Sequence, residues 1–500
     1  MIKFDESIQP AFNSIKVFDS EGNRVDKKNG RIDPKQPSIL TSGLKNGLPD
    51  GSYRIKWKVV SSDGHPVEGV IPFQVGDEGQ NSATSNKVTK GYKPKADLIV
   101  IRWLQYFSNA GYVGLIFFYM MVMPYKLREI ESVDNKFRRL INASLTLLFF
   151  SLLLSLPLQA SIESGFPWSE VFSFPLIENV LMNTSYGHSW IIQIALLITL
   201  VLLTSFMGMA ESTKRIILWA CFILGSALLW TKSMTSHAAS QSNQFLPIAM
   251  DFLHLFGASI WIGSLIGFVG FLSLRKNTDF KQDYLRMIKN FSKWGLIIVL
   301  LLTCTGIYSS LLYIPNLSAL VQTTYGQVLI GKVSLFVLMV VLAGVNFLKG
   351  KRGTANGLGT PIKGELLTGL IILILSVVLT NLPTAMQSPG PFKETNIVNE
   401  GKQITLAATP NIIGTNLFEV TLKDKAGQPI KDIEQLHLTF TMLEMDMGKE
   451  TVNLAKTAEG KYEVKGLHFT MAGKWNVHVH VLTKSLESID TDFIVLVGSQ

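Results

Sequence analysis

The chain has 500 residues, with 46 Lys plus Arg against 37 Asp plus Glu, a formal net charge of +9 and apolar side chains at 47%. That length and apolar content exclude a lone small soluble domain and a disordered chain. The positive balance does not mark a nucleic-acid binder, since no basic patch sits beside stacking aromatics, and two cysteines cannot build a disulfide framework.

The first 96 residues are polar, turn-rich and alternate with period two. "NSIKVFD", "SILTSGL", "SYRIKWKVV" and "GVIPFQVG", separated by Gly, Pro, Asp and Asn, predict an antiparallel β-sandwich. Between the last two stands "SSDGHP". A turn explains its Gly and Pro, because Gly accepts positive φ and Pro fixes its own. It does not explain His65. Asp63 and His65 stand two residues apart on an extended segment and face the same way; taken alone, they read as a turn-forming Asp63 and an exposed His65.

"FDESIQPAFNSIKVFDSEGNRV" followed by "LPDGSYRIKWKVVSSDGHPVEGVIPFQVG" resembles CopC, the periplasmic copper-binding β-sandwich of bacteria, over nearly all of residues 2 to 76. The resemblance implies a Cu(II) ion held by Asp63 and His65 with an N-terminal His. That His and the first strand of the family would precede Met1, so this domain, placed at residues 1–78, is expected to be truncated. "MIKFDESIQPAFNS" lacks a charged start and apolar core, so export would rest on residues before Met1 or on the first helix.

A linker at 79–96 leads to a membrane region at 97–384. Eight segments of bilayer-spanning length are expected near 98–123, 140–161, 189–209, 216–232, 247–274, 294–313, 327–348 and 364–384. The connections at 124–139, 211–215, 275–293 and 349–363 carry 17 Lys plus Arg; those at 162–188, 233–246 and 314–326 carry none. The rich set is therefore expected inside the cell, with both chain ends outside.

Ionisable residues inside a bilayer are functional candidates by default. His188 opens the third segment, His237 follows the fourth, and His254 lies about two turns inside the fifth, all toward the outer face. Met250, Asp251 and His254, at spacings of four and three, put thioether, carboxylate and imidazole on one helix face, groups that bind Cu(I) or Cu(II). "MTSHAASQSNQFLPIAMDFLHLFGASIWIGSL", with "TSYGHSW", "TGIYSS", "TYGQVLIGKVSL" and the helix of Glu365, resembles CopD, the polytopic membrane partner of CopC, over about 98–384. Two competing readings are a His188 that only satisfies backbone carbonyls, and a haem held by two intramembrane His. The second is opposed by His254 alone lying clearly within the membrane. Met120, Met121, Met123, Met207 and Met209 read as packing residues.

After a linker at 385–400, residues 401–500 alternate again as a second all-β sandwich whose layout resembles YtkA-like domains. "FTMLEMDMGKE" and "LHFTMAGKW" place Met445, Met447, His468 and Met471 near loop ends, where soft ligands could converge on Cu(I). Met442 shares strand parity with Leu438 and Phe440 and reads as core. His478 and His480 share a face with Asn476, read first as a solvent-facing stripe that could also bind metal.

The expected fold is mixed: a polytopic α-helical membrane core of about eight helices flanked by two extracytoplasmic immunoglobulin-like β-sandwiches. Resemblance to CopC–CopD fusions implies copper import or homeostasis at the cytoplasmic membrane, with Cu(II) at the N-terminal domain and Cu(I) at the membrane and C-terminal sites. Copper ions and the bilayer are the expected partners, a copper chaperone or regulator a candidate one, and nucleic acid none. A haem-containing electron carrier or copper reductase, and a resistance protein that sequesters or senses copper, are the alternatives. No catalytic triad, phosphate-binding loop or phosphorylated-Asp pump motif stands in the chain, so no enzyme is expected.

Overall fold

A computed structural model describes residues 1–4, 8–19, 21–60, 66–75, 94–208, 211–240, 245–276, 279–352, 358–385, 389–398, 401–443, 449–470 and 472–498. The chain opens with strands β1 (Ile2–Lys3), β2 (Ser14–Phe18), β3 (Arg31–Ile32), β4 (Ile39–Thr41), β5 (Gly51–Val60) and β6 (Pro66–Val75). They form two three-stranded sheets, ordered β1-β4-β3 and β2-β5-β6. Alternation in β5 buries Tyr53, Trp57 and Val59 and exposes Arg54 and Lys56, so one face joins Ile8, Ile15 and Leu40 in a small core.

That domain holds a buried carboxylate. Asp26 takes a two-pronged contact from Arg24, Nε to Oδ1 at 2.7 Å and Nη2 to Oδ2 at 2.9 Å, and accepts the backbone N–H groups of Val17 and Lys28. Burial alone would raise its pKa, but these donors outweigh it and hold Asp26 at about 2, below its ordinary 3.8. A depressed carboxylate contributes stability that is complete above the unfolded value and is lost as pH falls through the folded one. Asp26→Asn is therefore expected to remove about 2 kcal/mol at neutral pH and far less near pH 2. Hydrogen exchange of the β2 amides in the full chain checks this; equal protection of both forms at pH 7 would contradict it.

The middle of the chain is helical: α1 (Ala96–Phe117), α2 (Tyr125–Arg128), α3 (Glu131–Ser164), α4 (Phe174–Asn183), α5 (Ser185–Ser205), α6 (Glu211–Ser233), α7 (Phe245–Gly270), α8 (Lys281–Tyr313), α9 (Leu317–Gln322), α10 (Thr324–Lys351) and α11 (Gly359–Leu379). Among the described residues, seven helices are long and apolar enough to cross a membrane: α3, α5, α6, α7, α8, α10 and α11. The expected first span, α1, is not among them. It packs against α3, α6, α7 and α11 and buries Gln105, Ser108 and Asn109, so its surroundings are protein and its surface need not be apolar.

Close approach of α1 and α7 centres the bundle. A Cβ placed on Gly114 would lie 2.2 Å from the Ser259 carbonyl O, and one on Gly263 would lie 2.3 Å from the Ala110 carbonyl O. Small residues four apart on both helices let the backbones touch, as membrane packing favours. At the end bearing the basic connections, Asp134 accepts from Tyr119 Oη at 2.9 Å, Lys214 Nζ at 2.6 Å and Arg138 Nε at 2.9 Å, tying the turn that follows α1 to α3 and α6.

The C-terminal strands are β7 (Phe392–Val398), β8 (Lys402–Thr409), β9 (Gly414–Lys423), β10 (Ile433–Met442), β11 (Lys449–Asn453), β12 (Ala455–Ala458), β13 (Lys461–Phe469), β14 (Gly473–Thr483) and β15 (Ser488–Val497). Sheets of order β11-β10-β14-β15 and β12-β13-β9-β8-β7 enclose Phe418, Phe440, Phe469, Trp475 and Phe493. Strand parity sorts β14: Trp475, Val477, Val479 and Val481 are buried, while Asn476, His478 and His480 face outward.

Candidate metal centres

Strands β5 and β6 pair with Val60 opposite Pro66; Asp63 and His65, between them, lie outside the described residues, as do Met445, Met447 and Met471. The expected ligands that the structure does describe are His188, His237, Met250, His254 and His468.

Helix α7 carries the membrane constellation. Met250, Asp251 and His254 are half-buried near its start, at the bundle end opposite the basic connections. Ser236 Oγ donates to Asp251 Oδ2 at 3.0 Å, which draws the segment after α6, and with it the buried His237, against α7. The His237 ring stands edge-on to Tyr313, 6.1 Å between centroids. His254 Nδ1 is 2.9 Å from Thr305 Oγ1 on α8. That hydroxyl already donates to the Leu301 carbonyl at 2.7 Å, so its remaining role toward the imidazole is acceptor. His254 is thereby held with hydrogen on Nδ1, leaving the Nε2 lone pair for a ligand. Lys332 on α10 acts electrostatically on both Asp251 and His254.

About 10 Å further along α7, on the same face, Trp261 Nε1 donates to Glu365 Oε1 at 2.9 Å, and Asn346 Nδ2 donates to Glu365 Oε2 at 2.8 Å. Three helices thus share one buried carboxylate. A second polar chain joins α1, α3 and α11: Arg102 contacts Asn381, its Nη2 donates to Gln159 Oε1 at 3.2 Å, and Gln159 Nε2 donates to Glu163 Oε1 at 2.9 Å. Sequence reasoning passed over Arg102, Glu163, Lys332 and the Glu365 carboxylate. The signal was present, since each is an ionisable residue in an apolar stretch, the criterion already applied to His254.

His188 stands apart from this constellation. It is exposed in the first turn of α5, its Nε2 3.1 Å from the Met182 carbonyl O, the arrangement of a ring engaged with backbone. His468 is also engaged: its Nδ1 lies 2.9 Å from Glu450 Oε1, and its ring stacks on Phe440 at 5.0 Å. Met442 is core, as its parity predicts.

The stripe on β14 is more than a row of exposed side chains. His480 pairs across the ladder with His437 on one side and Asp490 on the other, and His478 pairs with Asp492. Burial, and then the neighbouring His480 and His478, lower the pKa of His437. Burial raises that of Asp490, but hydrogen bonds from Ser488 and His480 win, so it is lowered.

A run of membrane-length helices with a β-domain at each end of the chain is the architecture of a multi-pass membrane protein. Four family models match the chain: CopC domain over residues 1–76, copper resistance protein D-like N-terminal domain over 94–246, copper resistance protein D over 285–379, and YtkA-like over 399–480. The chain belongs to the CopC–CopD fusion family of copper membrane proteins, with a YtkA-like C-terminal region. It is 33% identical to the copper transport protein CutJ of Bacillus subtilis (strain 168), covering 98% of this chain and 91% of that protein. It is 29% identical to copper resistance protein D of Pseudomonas syringae pv. tomato, over 50% of this chain and 80% of that one. The inner membrane protein YebZ of Escherichia coli (strain K12) is 25% identical over 50% of this chain and 82% of its own length.

Proposed function

We propose that this protein takes up copper outside the cell and passes it to, or across, the cytoplasmic membrane. The observation that carries the reading is the α7 face on which Asp251 and the oriented imidazole of His254 stand with Met250, inside a bundle whose family is a copper family. In this reading Asp63 and His65 supply the first Cu(II) ligands. Met445, Met447, His468 and Met471 form a softer set on the C-terminal domain, and His237, Met250 and His254 receive the ion within the bundle, with His188 at its rim.

The loop charges, 17 Lys plus Arg on one set of connections and none on the other, support an outer position for both β-domains. CutJ, similar over nearly the whole chain, is named a copper transport protein, which supports movement over sequestration. The test is the copper content of a strain lacking the gene, grown under copper scarcity beside its parent. The expected result is a severalfold deficit, restored by the full chain; equal content in the two strains would contradict import.

A further inference from the structure

We propose that the outer face of the C-terminal sandwich carries a Cu(II) site formed by His478, His480 and Asp490, with His437 beside it. The copper reading above supplies the identity of the ion; the geometry of the site stands without it.

The site follows from strand register. Alternate residues of a strand share a face, so His478 and His480 both leave β14 outward, and the pairings of β14 set Asp490 on β15 and His437 on β10 against His480. Asp490 Oδ1 lies 2.6 Å from His480 Nδ1 and 3.2 Å from His478 Nε2. The ring of His437 is 4.6 Å from that of His480. His478 Nδ1 is 3.1 Å from Asp492 Oδ1, which also accepts from Asn476 Nδ2 at 2.8 Å. That outer carboxylate therefore positions the His478 ring from behind, as the carboxylate does in metal–histidine–carboxylate chains.

Ligand atoms of His478, His480 and Asp490 all fall within 4.8 Å of one another, and no other group of three His, Cys, Asp or Glu converges this way among the described residues. Metal–ligand bonds of about 2 Å hold neighbouring donor atoms about 3 Å apart, which the 2.6 and 3.2 Å separations bracket. Two imidazole nitrogens and one carboxylate oxygen, with no sulfur, select a borderline divalent ion, and Cu(II) stands highest in that series. The ligands sit on adjacent paired strands, so little ordering is required on binding. The set differs in chemistry and in sheet from the one around His468, which lies on β13.

The test uses purified full-length protein with Asp63→Ala and His65→Ala in the background, dialysed against Cu(II) and analysed for bound metal and by electron paramagnetic resonance. Adding His478→Gln and His480→Gln is expected to remove one Cu(II) per chain together with its nitrogen hyperfine pattern, while circular dichroism stays the same. Asp490→Asn, which leaves both rings in place, is expected to weaken that Cu(II) at least about tenfold. Unchanged stoichiometry and spectrum in the double His form would overturn the site, as would full displacement of its Cu(II) by equimolar Zn(II). These titrations decide the site whatever the deletion strain shows, so failure of the import reading and failure of this one are told apart.

Discussion

Replacing His254 by Ala is expected to reduce copper accumulation to the level of a strain lacking the gene, with the protein still present in the membrane at its normal amount. The two halves of that result have separate causes. Loss of function follows if Nε2 is a ligand, because Thr305 holds the ring in the tautomer that presents that nitrogen. Retained folding follows because Thr305 keeps its bond to the Leu301 carbonyl when the imidazole is gone, so no buried donor is orphaned. Thr305→Val removes the orienting hydroxyl and keeps the imidazole, and should weaken copper handling by about 10- to 100-fold in affinity rather than abolish it. Immunoblotting of membranes beside cellular copper content checks both; full accumulation by His254→Ala would remove His254 from the route.

Gly114→Ala is expected to destabilise the bundle strongly at the contact of α1 with α7. The added methyl would meet the Ser259 carbonyl at 2.2 Å and the Gly263 Cα at 2.7 Å, and both are backbone atoms that no side-chain rotation can clear. Ordinary overpacking costs about 1–3 kcal/mol; here α1 and α7 must separate, which loosens the helix that carries His254. Gly344→Ala is the control. It has nothing within 4 Å of its Cβ position in the middle of α10, so it should be neutral or stabilising by up to about 1 kcal/mol. Thermal unfolding in detergent separates them, and equal midpoints would refute the close packing of α1 on α7.

Local patterning carried much of the fold. The period-two runs at 53–60 and 475–481 became β5 and β14, the second with Asn476, His478 and His480 on its outer face as expected, and Met442 fell in the core because its parity matched Leu438 and Phe440. The membrane helices were legible from apolar length. The exception, α1, shows why hydropathy is an incomplete guide: it measures suitability for lipid, whereas α1 is ringed by protein and can carry Arg102, Gln105 and Asn109.

What pairing decides was less legible. His478 and His480 were readable as one stripe, but His437 and Asp490 join them only through the order β10-β14-β15, which no local pattern encodes. Likewise, Met250, Asp251 and His254 were readable on one helix face, while Ser236, Thr305, Lys332 and Glu365 reach that helix only through packing of α6, α8, α10 and α11. His188 shows the reverse limit. Its position at a helix start was correct, and its ring turned to the Met182 carbonyl.

The central claim, that copper passes through the bundle by way of α7, is tested most directly by copper entry into sealed lipid vesicles containing the purified full chain, with a copper-binding dye trapped inside. The account predicts entry well above protein-free vesicles with the wild-type chain and entry at the protein-free level with His254→Ala. Equal entry through both forms, or none through either, would contradict it.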